Sequence, residues 1–296
     1  MTAQHAKQLV KNALYRAIGE TSETLHLASN GNGSLRVLMY HKVNDTPDNP
    51  TTVSTAAFDE QLAQLRELGF RVVDLDAVID HYTLGHPLPP KALLITFDDG
   101  YRDTLENALP VLQKHGFPAV IFVPVAYMDD HQPLPHERYL VEQGVRNPTL
   151  DWGLLRELDR GGVRVESHGI AHRPLAEMGL DEAVREIAVS KLVLEERLER
   201  SVQAYAYVKG SKAHFRPVHV SLVQQAGYDV AFTSVSGSND EDTDPLRLRR
   251  YNVEPYAERT FELVLSGACD VIGLKDTVTG TRARRLFNEV LGTATQ

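Results

Sequence analysis

The chain has 296 residues, of which 42% are hydrophobic and 24% charged, and its formal net charge is −9 at pH 7. That length suits one large domain with a sizeable core, and the acidic balance argues against a general nucleic-acid surface. The single cysteine, Cys269, has no intramolecular partner, so a reducing compartment is permitted.

In chain order, the opening MTAQHAKQLVKNALYRAIGE lacks the apolar stretch and small-residue cleavage site of a secretory signal. No run approaches the ~18 apolar residues that a membrane span needs. A cytoplasmic protein is the expectation. Leu9, Val10, Ala13, Leu14, Ala17 and Ile18 recur at helical spacing, with Lys7, Lys11 and Arg16 nearby. This stripe is expected to pack on the domain's own surface, with peripheral membrane contact as the second reading. Ser29 to Ser34 (SNGNGS) reads as a linker. It separates an N-terminal helical extension and linker, 1–34, from a main domain, 35–296.

Beyond the linker, Leu35–His41 is short, apolar and β-prone. Ser54 caps a helix whose Phe58, Leu62, Leu65 and Leu68 fall on one face, and Gly69 ends it. Phe70–Val73 reads as a strand and Ala77–Tyr82 as a helix. Ala92–Phe97 (ALLITF) and Ala119–Val123 (AVIFV) are near-continuous apolar runs, as strands covered on both faces would be. Thr104–His115 lies between them as a helix kinked at Pro110 and closed by Gly116. Tyr127 to Pro148 breaks the rhythm as a long insert. A helix over Asp151–Arg160, a strand over Val163–Glu166, a long helix over Asp181–Arg200 and a strand over Gln203–Tyr207 follow. A helix over Pro217–Ala226 and a strand over Tyr228–Thr233 come next, then weaker strand candidates at Arg249–Val253 and Val271–Leu274. Strands alternating with helices imply an α/β fold with a parallel sheet, doubly wound or closed as a β/α barrel.

The chemistry-bearing residues cluster at the ends of the buried strands, where parallel α/β folds place their sites. The first cluster is Thr96-Phe97-Asp98-Asp99-Gly100-Tyr101. Paired carboxylates ending an apolar strand are costly to bury without a partner, and a divalent cation is the obvious one. The competing reading is a helix cap. The second cluster is His168-Gly169-Ile170-Ala171-His172, two imidazoles four residues apart after a strand. One carboxylate with two imidazoles makes a facial ligand set with open positions, which is the pattern of a catalytic metal rather than a structural one. The spare carboxylate can then serve as base.

With these motifs and their flanks, LLITFDDGYRDTLENALPVLQKHGFPAVIFV and SHGIAHRPL, residues 35 to 255 resemble the polysaccharide deacetylase family, also called NodB-homology or carbohydrate esterase family 4. The resemblance implies a distorted (β/α)7-type barrel and a hydrolase that removes the acetyl group from an amino sugar. It implies Asp98 as general base, with Asp99, His168 and His172 holding one divalent metal. Zn²⁺ is the first expectation, ahead of Co²⁺, Ni²⁺, Mn²⁺ or Fe²⁺. Usual members carry a late histidine as general acid, but no histidine follows His219 here. Val37-Leu38-Met39-Tyr40-His41 instead resembles the permuted branch, which includes poly-N-acetylglucosamine deacetylases, and this makes His41 the acid. The family's Pro-aromatic-Gly turn reads Tyr207-Val208-Lys209-Gly210 in this chain. The Lys209 N–H is the implied oxyanion donor, and its side chain suits an anionic group.

Tyr40, Tyr101, Trp152 and Tyr207 flank the motifs as candidate sugar-stacking rings, with ordinary packing as the alternative for each. Lys209 and the Arg247–Arg250 cluster, Arg250 included, are expected to meet phosphates of a lipid-linked or nucleotide-linked precursor. Arg282, Arg284 and Arg285 form another basic cluster, read as a solvated face. No obligate protein partner is evident. Alternatives are an N-deformylase or another amide hydrolase acting on a modified sugar, and a non-catalytic carbohydrate-binding protein on the same fold.

Overall fold

The computed structural model describes residues 3–25, 34–47, 49, 51–128, 132–270 and 272–273. Most of the linker at Ser29–Ser34, the arginines at 282–285 and two residues of the strand expected at 271–274 lie outside them.

The chain opens with helix α1 (Ala3–Thr24), then strands β1 (Arg36–Tyr40), β2 (Lys42–Val43) and β3 (Thr52–Val53). Helix α2 (Thr55–Glu67), strand β4 (Arg71–Val72), helix α3 (Leu75–Leu84) and strand β5 (Ala92–Phe97) follow. Next are α4 (Leu109–His115), β6 (Ala119–Val123), α5 (Arg138–Glu142), α6 (Trp152–Arg160), β7 (Val163–Ser167) and α7 (Leu180–Leu198). The last are β8 (Ala204–Ala206), α8 (Pro217–Gln225), β9 (Val230–Phe232), β10 (Tyr251–Asn252) and α9 (Glu258–Ser266).

The main sheet runs in the order β10-β1-β5-β6-β7-β8-β9, with β4 paired to β5 off that path. Every ladder in it is parallel. The sheet curls into a distorted (β/α) barrel with helices around it, and its strands read as apolar runs because both faces are covered. On one face Leu38, Tyr40, Leu93, Ile95, Phe97, Ile121 and Val165 pack against the helices. On the other Val37, Leu94, Val120, Phe122, Ala204 and Phe232 pack together with Leu75, Val78 and Ile79 of α3. That alternation is the period of two that strand geometry imposes.

Local chemistry sets the element ends. Ser54 Oγ accepts from the Ala57 N–H to start α2, and Asp151 accepts from the Leu154 N–H to start α6. The helix expected over Thr104–His115 is split. Residues Thr104–Ala108 form a π-turn, and α4 begins with Pro110 in its first turn. Proline has no N–H to donate to the preceding turn, so the ladder is re-phased there.

The N-terminal stripe does not pack as expected. Residues Asn12, Tyr15, Ile18, Gly19 and Ser22 are the covered side of α1, while Val10, Ala13, Leu14 and Ala17 face outward. The reason is a close approach to α9: a Cβ on Gly19 would come within 2.9 Å of Leu263 Cβ. Asn12 donates to the Pro255 carbonyl, and Glu23 pairs with Arg259. Helix crossing at a glycine therefore overrides the apolar periodicity. Among the described residues no helix is long and apolar enough to cross a membrane.

Because the strands are parallel, their C-terminal ends meet at one rim of the barrel. His41 follows β1, Asp98 and Asp99 follow β5, His168 follows β7 and Tyr207 follows β8.

Candidate active site

The rim opens into a cavity of about 680 Å³ lined by His41, Asp98, Asp99, His168, His172 and Lys209, among others. Its size lies within the range of small-molecule sites. The Asp98 N–H donates to the Tyr40 carbonyl at 3.0 Å, extending the β1–β5 ladder one residue and setting Asp98 beside His41. Asp99 then turns out of the strand with φ +78°, followed by Gly100 at φ +72°. A Cβ on Gly100 would meet Met128 Cε at 3.0 Å and Val123 Cγ1 at 3.1 Å, so only glycine lets this turn pack on β6. His172 and Lys209 also hold left-handed backbone, at φ +51° and +56°. Such geometry costs roughly 1–2 kcal/mol for an L-residue and collects where a site demands it. Neither aspartate caps the following helical turn: its cap position is Asp103.

Asp99, His168 and His172 offer ligand atoms that all lie within 4.8 Å of one another. Asp99 Oδ1 stands 2.8 Å from His172 Nε2 and 3.5 Å from His168 Nε2. His168 Nδ1 is engaged by the Ala206 carbonyl at 2.8 Å, which leaves Nε2 for the cluster. Burial pushes the Asp99 carboxyl up, but His172, His168 and His41 together pull it well below the ordinary range. Burial lowers His168, while Asp98 and Asp99 more than reverse this and raise it. A field that draws a proton onto a buried imidazole also favours a cation, so the residues fit a divalent metal. The set of two nitrogens and one oxygen suits zinc-like ions and leaves positions open.

Asp98 faces a different partner. Both its oxygens are gripped by Arg250, at 2.6 and 2.7 Å. Burial raises its carboxyl, and Arg250 then brings it below the ordinary value. His41 is lowered, chiefly by burial and against the pull of Asp99 and Asp98. Its Nδ1 is buried without a hydrogen-bond partner.

The loop carrying the two histidines hangs on a residue that sequence reasoning did not single out. Glu186 of α7 is 5% exposed, and its Oε1 accepts from the Ile170 and Ala171 N–H groups, each at 2.7 Å. Gly169 has φ +80°, and a Cβ there would fall 2.7 Å from that same oxygen, which explains glycine at this position. The available signal is a glutamate among Ala183, Ile187 and Leu194 on the buried face of α7. His136, from the insert, also lines the cavity; nothing in its Pro-His-Glu context marks it.

The substrate-side expectations divide. Lys209 is exposed at the cavity wall, as expected. Tyr207 also lines it but is 1% exposed, stacked on Phe215 at 4.2 Å with its hydroxyl on the Leu246 carbonyl. Arg250 is corrected: it is fully buried, its donors spent on Asp98, Thr96 and the Thr233 carbonyl, so no phosphate reaches it. Tyr101 is corrected likewise, being 1% exposed and tied to His136 and Glu137. Trp152 does not line the cavity; it is buried, with the Arg197 guanidinium 5.3 Å above its ring. Tyr40 is buried with its hydroxyl on Gln61. In each case packing around the barrel claims the ring first.

Comparison with known proteins bears on the family and the fold. A family model described as polysaccharide deacetylase matches residues 85–231. YxkH of Bacillus subtilis, a protein assigned to the polysaccharide deacetylases, is 25% identical over 221 residues, covering 75% of this chain and 72% of that one. The poly-beta-1,6-N-acetyl-D-glucosamine N-deacetylase of Escherichia coli is 33% identical over 134 residues, which are 44% of this chain but 20% of that enzyme. Among solved structures, the Streptococcus pyogenes deacetylase PplD superposes with a TM-score of 0.67 at 21% identity, covering 80% of this chain and 99% of that one. IcaB from Ammonifex degensii superposes with a TM-score of 0.66 at 24% identity, covering 81% and 98%. The two superpositions share the curled parallel sheet described above. Residues 85–231, with the motifs they carry, form a polysaccharide deacetylase domain.

Proposed function

We propose that the protein is a metal-dependent N-deacetylase that hydrolyses the acetamido group of an amino sugar. The observation that carries this is the convergence, in one cavity, of a ligand cluster (Asp99, His168, His172), a separately held carboxylate (Asp98) and a strand-end imidazole (His41). Amide hydrolysis needs an activated water, a place for the oxyanion and an acid for the leaving amine. A divalent ion held by Asp99, His168 and His172 supplies, when bound, the Lewis acidity that polarises the acyl carbonyl and acidifies water.

Asp98 takes the proton of the attacking water. Arg250 keeps that carboxylate ionised and aimed, so it is ready as a base at neutral pH. The backbone N–H of Lys209, a residue of the cavity wall, serves as donor to the developing oxyanion. His41 delivers the proton to the departing nitrogen. Burial favours its neutral form, against the pull of Asp99 and Asp98 toward the protonated one. The Lys209 ammonium at the cavity wall suits a substrate carrying a phosphate or carboxylate near the acetamido group, as in a lipid-linked or nucleotide-linked precursor. N-formyl sugars are the competing substrate class.

Elemental mass spectrometry of the purified protein, beside Asp99→Ala and His172→Ala variants, tests the site. The expected result is one zinc-like metal per chain in the wild type and its loss in both variants. Acetate or formate release from a panel of N-acyl sugars then separates the substrate classes. A wild type that takes up no metal even on reconstitution would overturn the hydrolase reading.

A further inference from the structure

The insert between β6 and α6 carries His136, which the reading above does not use. Its Nε2 lies 3.0 Å from the Tyr101 hydroxyl and 3.6 Å from Asp99 Oδ2. Its ring centroid is 5.0 Å from that of His172. The histidine is held there from behind. The next residue, Glu137, is 3% exposed and pairs at 2.8 Å with Lys42 Nζ, a side chain with 0% exposure. Lys42 also donates to Asn49, and Asn147 donates to Glu137. Separating a buried pair leaves a charge unpaired, which is costly. The insert is thereby anchored to the segment just after His41, and His136 has a fixed seat rather than a loop tip's freedom.

Proton bookkeeping says which way His136 points its hydrogen. The Tyr101 hydroxyl has one proton, and Glu137 Oε1, at 3.1 Å, can only accept. Tyr101 therefore donates to Glu137, and its oxygen accepts from His136. His136 Nε2 carries a hydrogen, and that N–H also faces Asp99 Oδ2. Meanwhile the other oxygen, Asp99 Oδ1, is the one turned to His172 and His168. One oxygen of this carboxylate belongs to the ligand cluster, and the other looks at a donor from the insert.

We propose that His136 is a positioning residue for the metal site: its Nε2–H holds Asp99 Oδ2, leaving Oδ1 as the ligand atom. This rests on the metal reading of the cluster. The 3.6 Å separation is long for a hydrogen bond, so the Nε2–H is shared unequally, closer to the Tyr101 oxygen and also facing Asp99 Oδ2. Donors of this kind behind a ligand typically change metal affinity about 10–100-fold.

The test is a Co²⁺ titration of the metal-stripped, full-length protein, read by visible absorption. Wild type is compared with His136→Ala, His136→Gln and Asp99→Ala. The expected result is about 10–100-fold weaker binding for His136→Ala, with the spectrum of the bound form unchanged because the ligand set is the same. His136→Gln keeps an N–H at similar reach and recovers most of the affinity. Unchanged affinity in His136→Ala overturns the proposal, and so does an altered bound spectrum, which would make His136 a direct ligand. A wild type that binds no Co²⁺ overturns the metal reading along with it. Wild-type binding that Asp99→Ala abolishes and His136→Ala leaves intact overturns only the role of His136.

Discussion

Arg250 grips both carboxylate oxygens of Asp98, at 2.6 and 2.7 Å, with neither side chain open to solvent. The pair joins β10 to the end of β5 across the β1 strand between them, and it leaves the candidate base ionised in a buried site. Truncating one member of such a pair strands the other charge, at a cost of about 3–5 kcal/mol. Arg250→Met is expected to lose that much stability by denaturant unfolding at pH 7. The sign of the pH effect follows from the cause. With Arg250, the Asp98 carboxyl lies below its unfolded value, so its contribution is present at neutral pH and is lost as pH falls through the folded pKa. Without Arg250, burial raises the carboxyl against only the weaker pull of His168 and His41, so the acidic limb of kcat/KM moves upward and the variant gains relative stability on acidification. An acidic limb that stays in place would remove Asp98 from the role of base.

Asp103 shows the opposite linkage. Its Oδ2 accepts from the Val43 N–H and Asn44, but Oδ1 has no partner, and burial pushes the carboxyl up to about 6. A folded pKa above the unfolded one means that the folded state takes up a proton first. This group therefore stabilises the fold as pH falls through about 6 and disfavours it above. Asp103→Asn is expected to raise the melting temperature at pH 7.5 and to flatten its change between pH 5 and 7.5. Identical pH dependence in the variant would refute the assignment.

Glu186 holds two backbone N–H groups of the histidine loop through one oxygen. Glu186→Ala leaves both without an acceptor, at a cost of about 2–5 kcal/mol, and releases His168 and His172 from their relative placement. Metal affinity should fall with stability. Glu186→Gln retains a carbonyl oxygen and should retain most of both. Calorimetric metal titration beside thermal unfolding would show whether the two losses travel together.

His41→Ala should lower kcat by about 10²–10⁴, the usual worth of a proton-transfer group, while metal content stays at the wild-type level. A variant as active as the wild type would mean that the strand-end histidine is not the acid.

Lys209→Gly separates backbone from side chain. Glycine keeps the N–H and accepts φ +56° without strain. kcat should hold, while KM for a phosphate- or carboxylate-bearing substrate should rise about two- to fivefold, the worth of one exposed ion pair. Equal KM for charged and neutral substrates in the wild type would remove the anionic group from the proposal.

Much of the architecture was legible before the structure. Ala92–Phe97 and Ala119–Val123 form strands as expected, because an apolar run with β-branched residues can be covered on both faces only inside a parallel sheet. Ser54 and Asp151 announce their helices because a side-chain cap acts within three residues. Asp99, His168 and His172 stood out because each follows such a strand, and strand ends converge. The aromatic residues misled. Tyr101 and Trp152 lie next to motifs in sequence, but ring burial is decided by whichever helix packs over them.

The sequence alone determined the local matters: which segments are strands, where helices start, and which ligand-type residues end a buried run. These depend on interactions among residues a few positions apart. Tertiary structure alone decided the partners. Arg250 pairs with Asp98 across 152 positions, Lys42 with Glu137 across 95, and Gly19 meets Leu263 on a helix near the other end of the described chain. A buried charge must find its counterion wherever folding brings one near, and no local pattern records which one that is. The same arginine that reads as one of a basic surface cluster is, in three dimensions, the support of the candidate base.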